Sequence, residues 1–213
     1  MSTPMIPDEL WTGYGARVVH LTKGDTIFDQ GTAAGSFYQV KGGRVKMVSY
    51  NEQGREFVQG MFTEGQSFGE PPFFNDVPYP AAAIAVVDSD VWKCGRAAFL
   101  RLLAEHPAIH LELTKVLSGR LVYKSMMLAE IAVEEAGHRL ATLIEYLRST
   151  DPAGAARPYL VPFTRQQLAD MTGLRVETVV RSIKAMEQQG ALAIVDGKIV
   201  WREHDKSSDR TGE

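Results

Sequence analysis

Residues 108 to 135 contain no proline, and Gly119 is their single glycine. Within that run Leu117, Leu121, Lys124, Leu128 and Ile131 alternate at spacings of four and three. That is the seam of a helix packed along another helix. A helix of this length would reach about 42 Å at 1.5 Å per residue. It outruns the core of a small domain, so its apolar seam needs a partner helix, and an identical helix from a second subunit supplies one. Leu117, Leu121, Leu128 and Ile131 are therefore the expected dimer seam, interrupted by Lys124, and the chain is expected to form a homodimer. The alternative is a core helix buried within one chain.

The sequence on the N-terminal side has a different texture. From Val18 to Lys93, short apolar runs are broken by nine glycines, from Gly24 to Gly69. Val45 to Val48 and Ile84 to Val87 read as strands, and short strands at such spacing predict a sandwich or barrel. After Arg96 the period becomes helical. Phe99, Leu102 and Leu103 suit a short helix ending before Pro107. Gly137 marks an expected hinge, residues 138–148 an amphipathic helix, and residues 151–154 (Asp-Pro-Ala-Gly) a turn.

Several function classes are excluded at this point. A chain with 45% hydrophobic and 23% charged residues is not a disordered polyelectrolyte. No apolar run approaches the roughly 20 residues of a membrane span, and residues 1–10 lack a secretory pattern. The single cysteine, Cys94, allows no internal disulfide and no four-cysteine cluster within one chain. A reducing, cytoplasmic location is expected, and Cys94 reads as a packed structural residue rather than a redox switch. The charge is unevenly placed. Residues 1–137 carry 12 Lys or Arg against 16 Asp or Glu, whereas residues 138–202 carry nine against six. A basic C-terminal part fits a polyanionic partner.

The segment from Thr164 to Leu192 says which polyanion. Thr164 can cap a helix starting at Arg165, with Gln167 completing a capping box. Leu168, Ala169 and Met171 give that helix an inner face. Thr172, Gly173 and Leu174 form a tight turn, and a second helix follows from about Val176. A small residue at Ala169 lets the two helices cross closely, so the Ala169, Gly173 and Val179 spacing is a helix-turn-helix pattern. On the second helix Glu177 and Arg181 share a face. Arginine can bond guanine O6 and N7 together, and glutamate can accept from cytosine N4. The bland reading is an exposed intrahelical ion pair. Thr164, Arg165, Gln166, Arg175, Val176, Thr178, Val180 and Lys184 complete the expected DNA-contacting set. Asp196-Gly197, between the apolar runs Leu192 to Val195 and Lys198 to Trp201, predicts a two-residue hairpin, the wing.

Three stretches together resemble the Crp/Fnr family, that of the cyclic-AMP receptor protein and the fumarate-nitrate reductase regulator. They are Lys-Gly-Asp-Thr-Ile-Phe-Asp-Gln-Gly at 23–31, Phe-Gly-Glu at 68–70 and Val-Glu-Thr-Val-Val-Arg at 176–181. The similarity runs in order over about residues 15–202. It implies an α+β architecture: a jelly-roll β-roll sensory domain (1–107), a central dimerisation helix (108–136) and a winged helix-turn-helix (137–205), with a disordered tail (206–213). It implies a non-enzymatic transcription regulator that binds an inverted repeat in double-stranded DNA and contacts RNA polymerase. Glu177 and Arg181 fall at the family's base-reading positions. Arg175 stands where a capping Ser or Thr is usual, which removes a cap of roughly 1 kcal/mol but offers a cation to a phosphate.

The effector site departs from the family pattern. A cyclic-nucleotide pocket in this family has Phe-Gly-Glu, whose glutamate bonds the ribose hydroxyl, followed by an Arg-Ser pair, whose arginine neutralises the phosphate. Phe68, Gly69 and Glu70 are present, but Pro80 and Ala81 stand at the pair's positions. Residues 71–87 contain no Arg or Lys. A phosphate buried without a cation is costly, so a response to cyclic AMP is not expected. Glu70 is expected instead to cap backbone amides in a turn. The expected remnant pocket comprises Phe68, Gly69, Glu70, Pro71, Pro80 and Ala81, with Lys124 and Ser125 offered by the central helix. No cofactor or metal is expected, and the effector is either a small molecule other than cyclic AMP or none, with constitutive DNA binding. A haem sensor would have His20, His106, His110 or Met47 as ligands. A cupin-like metalloenzyme needs clustered His and Glu, and the β-rich region offers only His20. A nucleotide-responsive subunit without DNA binding conflicts with Glu177, Arg181 and the wing.

Overall fold

The computed structural model describes residues 6–50, 56–133, 136–151, 154 and 158–202. The chain divides into two units, Met1–Arg120 and Leu121–Glu213. In the first unit the glycine-broken runs become strands. The strands are β1 (Arg17–Leu21), β2 (Thr26–Phe28), β3 (Ser36–Gly42), β4 (Arg44–Tyr50), β5 (Glu56–Thr63), β6 (Ser67–Phe68), β7 (Ala82–Ala85) and β8 (Ser89–Gly95). They form two antiparallel sheets, ordered β1-β8-β3-β6 and β2-β7-β4-β5, the β-roll expected. In β4 the consecutive residues Met47 and Val48 are both buried. A register shift against β5 between them makes this possible, since a bulge resets the alternation.

Helix α1 (Asp8–Gly13) lays Trp11 on the first sheet, stacked on Phe37 at 5.9 Å and Trp92 at 6.1 Å. The indole nitrogen of Trp92 donates to Asp8 at 2.9 Å, which fixes that helix in place. Inside the roll, Phe28, Tyr38 and Phe68 pack ring against ring, and Phe28 stacks on Tyr79 at 3.7 Å. Burial pushes the Tyr79 phenol above its ordinary pKa, so it stays protonated and donates to the Ser36 carbonyl at 3.2 Å.

Three sequence expectations shift here. Strand β7 is Ala82–Ala85 rather than 84–87. Val87 is instead part of a turn whose carbonyl accepts from Ser89 Oγ at 2.7 Å. That turn presses on Gly43, where φ is +89° and an added Cβ would lie 2.6 Å from the Asp88 carbonyl oxygen. Gly137, expected at a hinge or boundary, is the second residue of α5 (Ala136–Thr150), and residues 134 and 135 just before that helix lie outside the described residues. The short helix α3 (Arg96–Glu105) ends at His106, and the long helix α4 (Pro107–Val133) starts on Pro107 itself. Proline suits that first position because its missing N–H would have no partner there. The tail at 206–213 lies outside the described residues.

In the second unit α5 buries Leu140, Leu143, Ile144 and Leu147, one helical stripe. They pack in one core with Leu168 of α6 (Arg165–Thr172), with Val179 and Ile183 of α7 (Val176–Gln188), and with Trp201. A small antiparallel sheet completes the unit, ordered β10 (Leu192–Val195), β11 (Lys198–Trp201) and β9 (Tyr159–Leu160). Tyr123, on the C-terminal part of α4, stacks on Tyr146 of α5 at 3.5 Å, nearly parallel. Burial raises the pKa of its phenol.

Candidate nucleic-acid interface and the β-roll site

The start of α6 is fixed by a complete capping box. Thr164 Oγ1 accepts from the Gln167 amide at 3.2 Å, and the Thr164 amide donates to Gln167 Oε1 at 2.9 Å. The helix ends on Gly173, at φ +71°. Space is not the reason for glycine there, since no atom lies within 4 Å of an added Cβ; the left-handed backbone is. Gly173→Ala should therefore lower stability by about 1–2 kcal/mol in urea denaturation. An unchanged midpoint would mean the turn relaxes into another conformation. Ala169 and Val179 are buried, as the close helix crossing requires.

Helix α7 starts without a side-chain cap at Arg175. Its inner face is Val179, Ile183 and Met186, while Arg175, Glu177, Arg181 and Lys184 are exposed. Val176, Thr178 and Val180 are half-buried between the two faces. No hydrogen bond or ion pair joins Glu177 to Arg181, and neither has another partner among the described residues. Their charged ends are therefore free for a partner outside the chain. Thr164 and Gln166 are also exposed, and Gln166 Nε2 donates to Asp170 at 2.7 Å. Arg165 behaves differently: its Nη1 donates to the Gly197 carbonyl at the wing tip, 2.8 Å away. The wing turn has φ +49° at Asp196 and +74° at Gly197, the signature of the Asp-Gly hairpin.

In the β-roll, Phe68 and Glu70 are buried, and Glu70 opens the short helix α2 (Glu70–Asn75). Glu70 does not cap amides. Its Oε1 accepts from Arg120 Nη1 at 2.9 Å, while Arg120 Nη2 donates to the Ser67 carbonyl at 2.7 Å. The same guanidinium lies 5.1 Å over the Phe62 ring. Arg120 was not singled out in the sequence, although it sits one turn before Lys124 on the same helix. Lys124 and Ser125 are exposed, and the Ser125 hydroxyl donates to the Leu121 carbonyl at 3.0 Å. The rest of the expected pocket does not share one environment. Ala81 is buried, whereas Pro71 and Pro80 face solvent. Gly69 has φ +78°, and an added Cβ would lie 3.2 Å from the rings of Phe28 and Tyr79.

Among the described residues His20, His110 and His138 are exposed and His106 is half-buried. His20 pairs with Asp90 across β1 and β8 at 2.7 Å, and His106 meets the Tyr14 hydroxyl at 3.1 Å. Among the described residues no cluster of three His, Cys, Asp or Glu could hold a metal. Cys94 is buried, and burial pushes its thiol above the usual pKa, away from the reactive thiolate. No helix is long and apolar enough to cross a membrane among the described residues.

A capped helix-turn-helix with a hairpin wing, following a jelly-roll β-roll and a long helix, defines a winged-helix DNA-binding regulator. Residues 18–106 match the cyclic nucleotide-binding domain family, and residues 138–206 the Crp-like helix-turn-helix domain family. The chain belongs to the Crp/Fnr family of transcription regulators. It is 28% identical to the cyclic AMP receptor protein of Thermus thermophilus over 85% of this chain and 82% of that one. It is 28% identical to the nitrogen fixation regulation protein FixK of Bradyrhizobium diazoefficiens, over 86% and 77%. The fumarate and nitrate reduction regulatory protein of Escherichia coli is 26% identical, over 87% and 74%. Among solved structures, Thermus thermophilus catabolite activator protein aligns with a TM-score of 0.54 at 27% identity, covering 92% of this chain and 89% of that one. FixK2 from Bradyrhizobium japonicum aligns at 0.72 and 24%, covering 88% and 93%. These relatives are regulators of transcription.

Proposed function

We propose that two copies of this chain bind an inverted repeat in double-stranded DNA and regulate transcription in the cytoplasm, in contact with RNA polymerase, without cyclic AMP as effector. The observation that carries the DNA reading is the exposed pair Glu177 and Arg181, one turn apart on α7 and without partners among the described residues. In this reading α7 enters the major groove and residues 137–205 are the DNA-binding domain. Residues 108–136 pair the two copies, so the half-sites lie about one helical turn apart. Arg181→Ala should cost roughly 1–3 kcal/mol and relax the choice at one G·C pair per half-site. Glu177→Ala should broaden the preference on the opposite strand. Selection of duplexes from a random pool by each variant checks this, and equal loss on all sequences would reassign Arg181 to a phosphate.

The absence of a cyclic-AMP response is supported by Glu70. The carboxylate that would hold a ribose hydroxyl is already paired with Arg120, and residues 71–87 bring no cation for a phosphate. A site closed to cyclic AMP leaves either constitutive DNA binding by ligand-free protein or a response to another ligand. Calorimetry with cyclic AMP and cyclic GMP should show no heat of binding, and ligand-free protein should select a specific duplex. Micromolar cyclic-AMP binding that also strengthens DNA binding would overturn this. Specific binding that waits on added cell extract would point to another ligand.

A further inference from the structure

We infer that Arg165 is a wing-positioning residue that acts on DNA through Lys198, rather than a contact in its own right. The inference rests on the DNA-binding reading above. The wing is a hairpin of two four-residue strands, β10 and β11; its base is held by pairing with β9 and by Leu192, Ile199 and Trp201 in the core, which leaves the tip to be positioned. Its exposed tip has no side chain at Gly197 by which to be held.

The helix-turn-helix holds the wing from both helices. Glu187, near the end of α7, accepts from the Ile194 amide at 3.1 Å. Arg165, the first residue of α6, donates to the Gly197 carbonyl at 2.8 Å. The origin of the Arg165 side chain is itself fixed, because the preceding residue, Thr164, is locked in the capping box. A guanidinium donating to a carbonyl is a charge-assisted bond, among the stronger of its kind.

The residue after Gly197 is Lys198, exposed and without an ion-pair partner among the described residues. Fixing the Gly197 carbonyl therefore fixes where the Lys198 ammonium starts. An ammonium so placed neutralises a phosphate, which adds affinity on any sequence.

A double-mutant cycle tests this. The affinities of wild type, Arg165→Ala, Lys198→Ala and the double variant are measured by fluorescence anisotropy. The probes are a duplex selected by the wild type and a scrambled duplex. Amide hydrogen exchange over residues 192–201 is followed in each protein without DNA. Arg165→Ala should weaken binding to both duplexes by about tenfold. Lys198→Ala should do much the same, and the double variant should be little worse than the weaker single variant. Wing amides should exchange faster in Arg165→Ala, while those of α6 and α7 keep their protection. Arg165→Lys, which retains one donor, should recover part of both effects. Independent, multiplying losses with unchanged wing exchange would overturn the inference and make Arg165 a direct contact. A wild type that selects no duplex would overturn the DNA reading and with it the Lys198 contact. Unchanged wing exchange in Arg165→Ala removes the clamp even if DNA binding stands.

Discussion

Leu121→Glu and Leu128→Glu should each sediment as a monomer at concentrations where the wild type is a dimer. The two leucines are 67% and 69% exposed in the single chain. A carboxylate at either position therefore meets water in the isolated chain, so the monomer should still fold, with a melting temperature lowered only by the lost contribution of dimerisation. In a paired seam the same carboxylate would face its own copy in a dry interface. Desolvating an unpaired charge costs several kcal/mol per ion, and about 4 kcal/mol is already a thousandfold in the dimer constant. Monomers present one recognition helix instead of two, lose the gain of simultaneous engagement, and should bind the inverted repeat poorly. Analytical ultracentrifugation decides it. Dimers in both variants would move the seam elsewhere on α4. Leu111, Val122 and Met126 are also exposed, and their spacings of eleven and four place them on one strip of the helix. Val122→Glu is the matching control.

That strip shows what the sequence did not make legible. The alternation of four and three picks out residues that can share a face, but not which apolar residues the rest of the chain covers. Leu117 fits the seam pattern, yet it is half-buried against the β-roll core. The side chain of Ile131 lies outside the described residues. The helix-turn-helix was legible nearly to the residue because its constraints are local. A capping box, a left-handed glycine and an Asp-Gly turn each involve neighbours a few positions apart. The Glu70–Arg120 pair spans 50 residues, and no spacing rule joins a turn in a β-roll to a position on a later helix. Arg165 shows the same limit: its type fits a DNA contact, and only the folded chain brings the wing carbonyl 32 residues on within its reach.

Arg120→Ala should be among the most destabilising single changes available in the β-roll, at roughly 3 kcal/mol. The Glu70 side chain is 1% exposed and that of Arg120 is 20% exposed, so the carboxylate is the more deeply buried partner. Removing the guanidinium leaves that carboxylate without its counter-ion and the Ser67 carbonyl without the donor it has from Nη2. The reverse change is milder. In Glu70→Gln the amide oxygen can still accept from Arg120, and the guanidinium left without a counter-charge retains some access to water; about 1 kcal/mol is expected. Replacing both partners, as Glu70→Gln with Arg120→Ala, removes the stranded charge altogether. It should therefore cost less than Arg120→Ala alone, a coupling that only a direct interaction produces. Urea denaturation of the four proteins, with an unchanged slope as the sign of an unchanged fold, measures each term. A loss below about 1 kcal/mol for Arg120→Ala would mean that water or another cation reaches Glu70 readily. The carboxylate would then be available to a ligand after all.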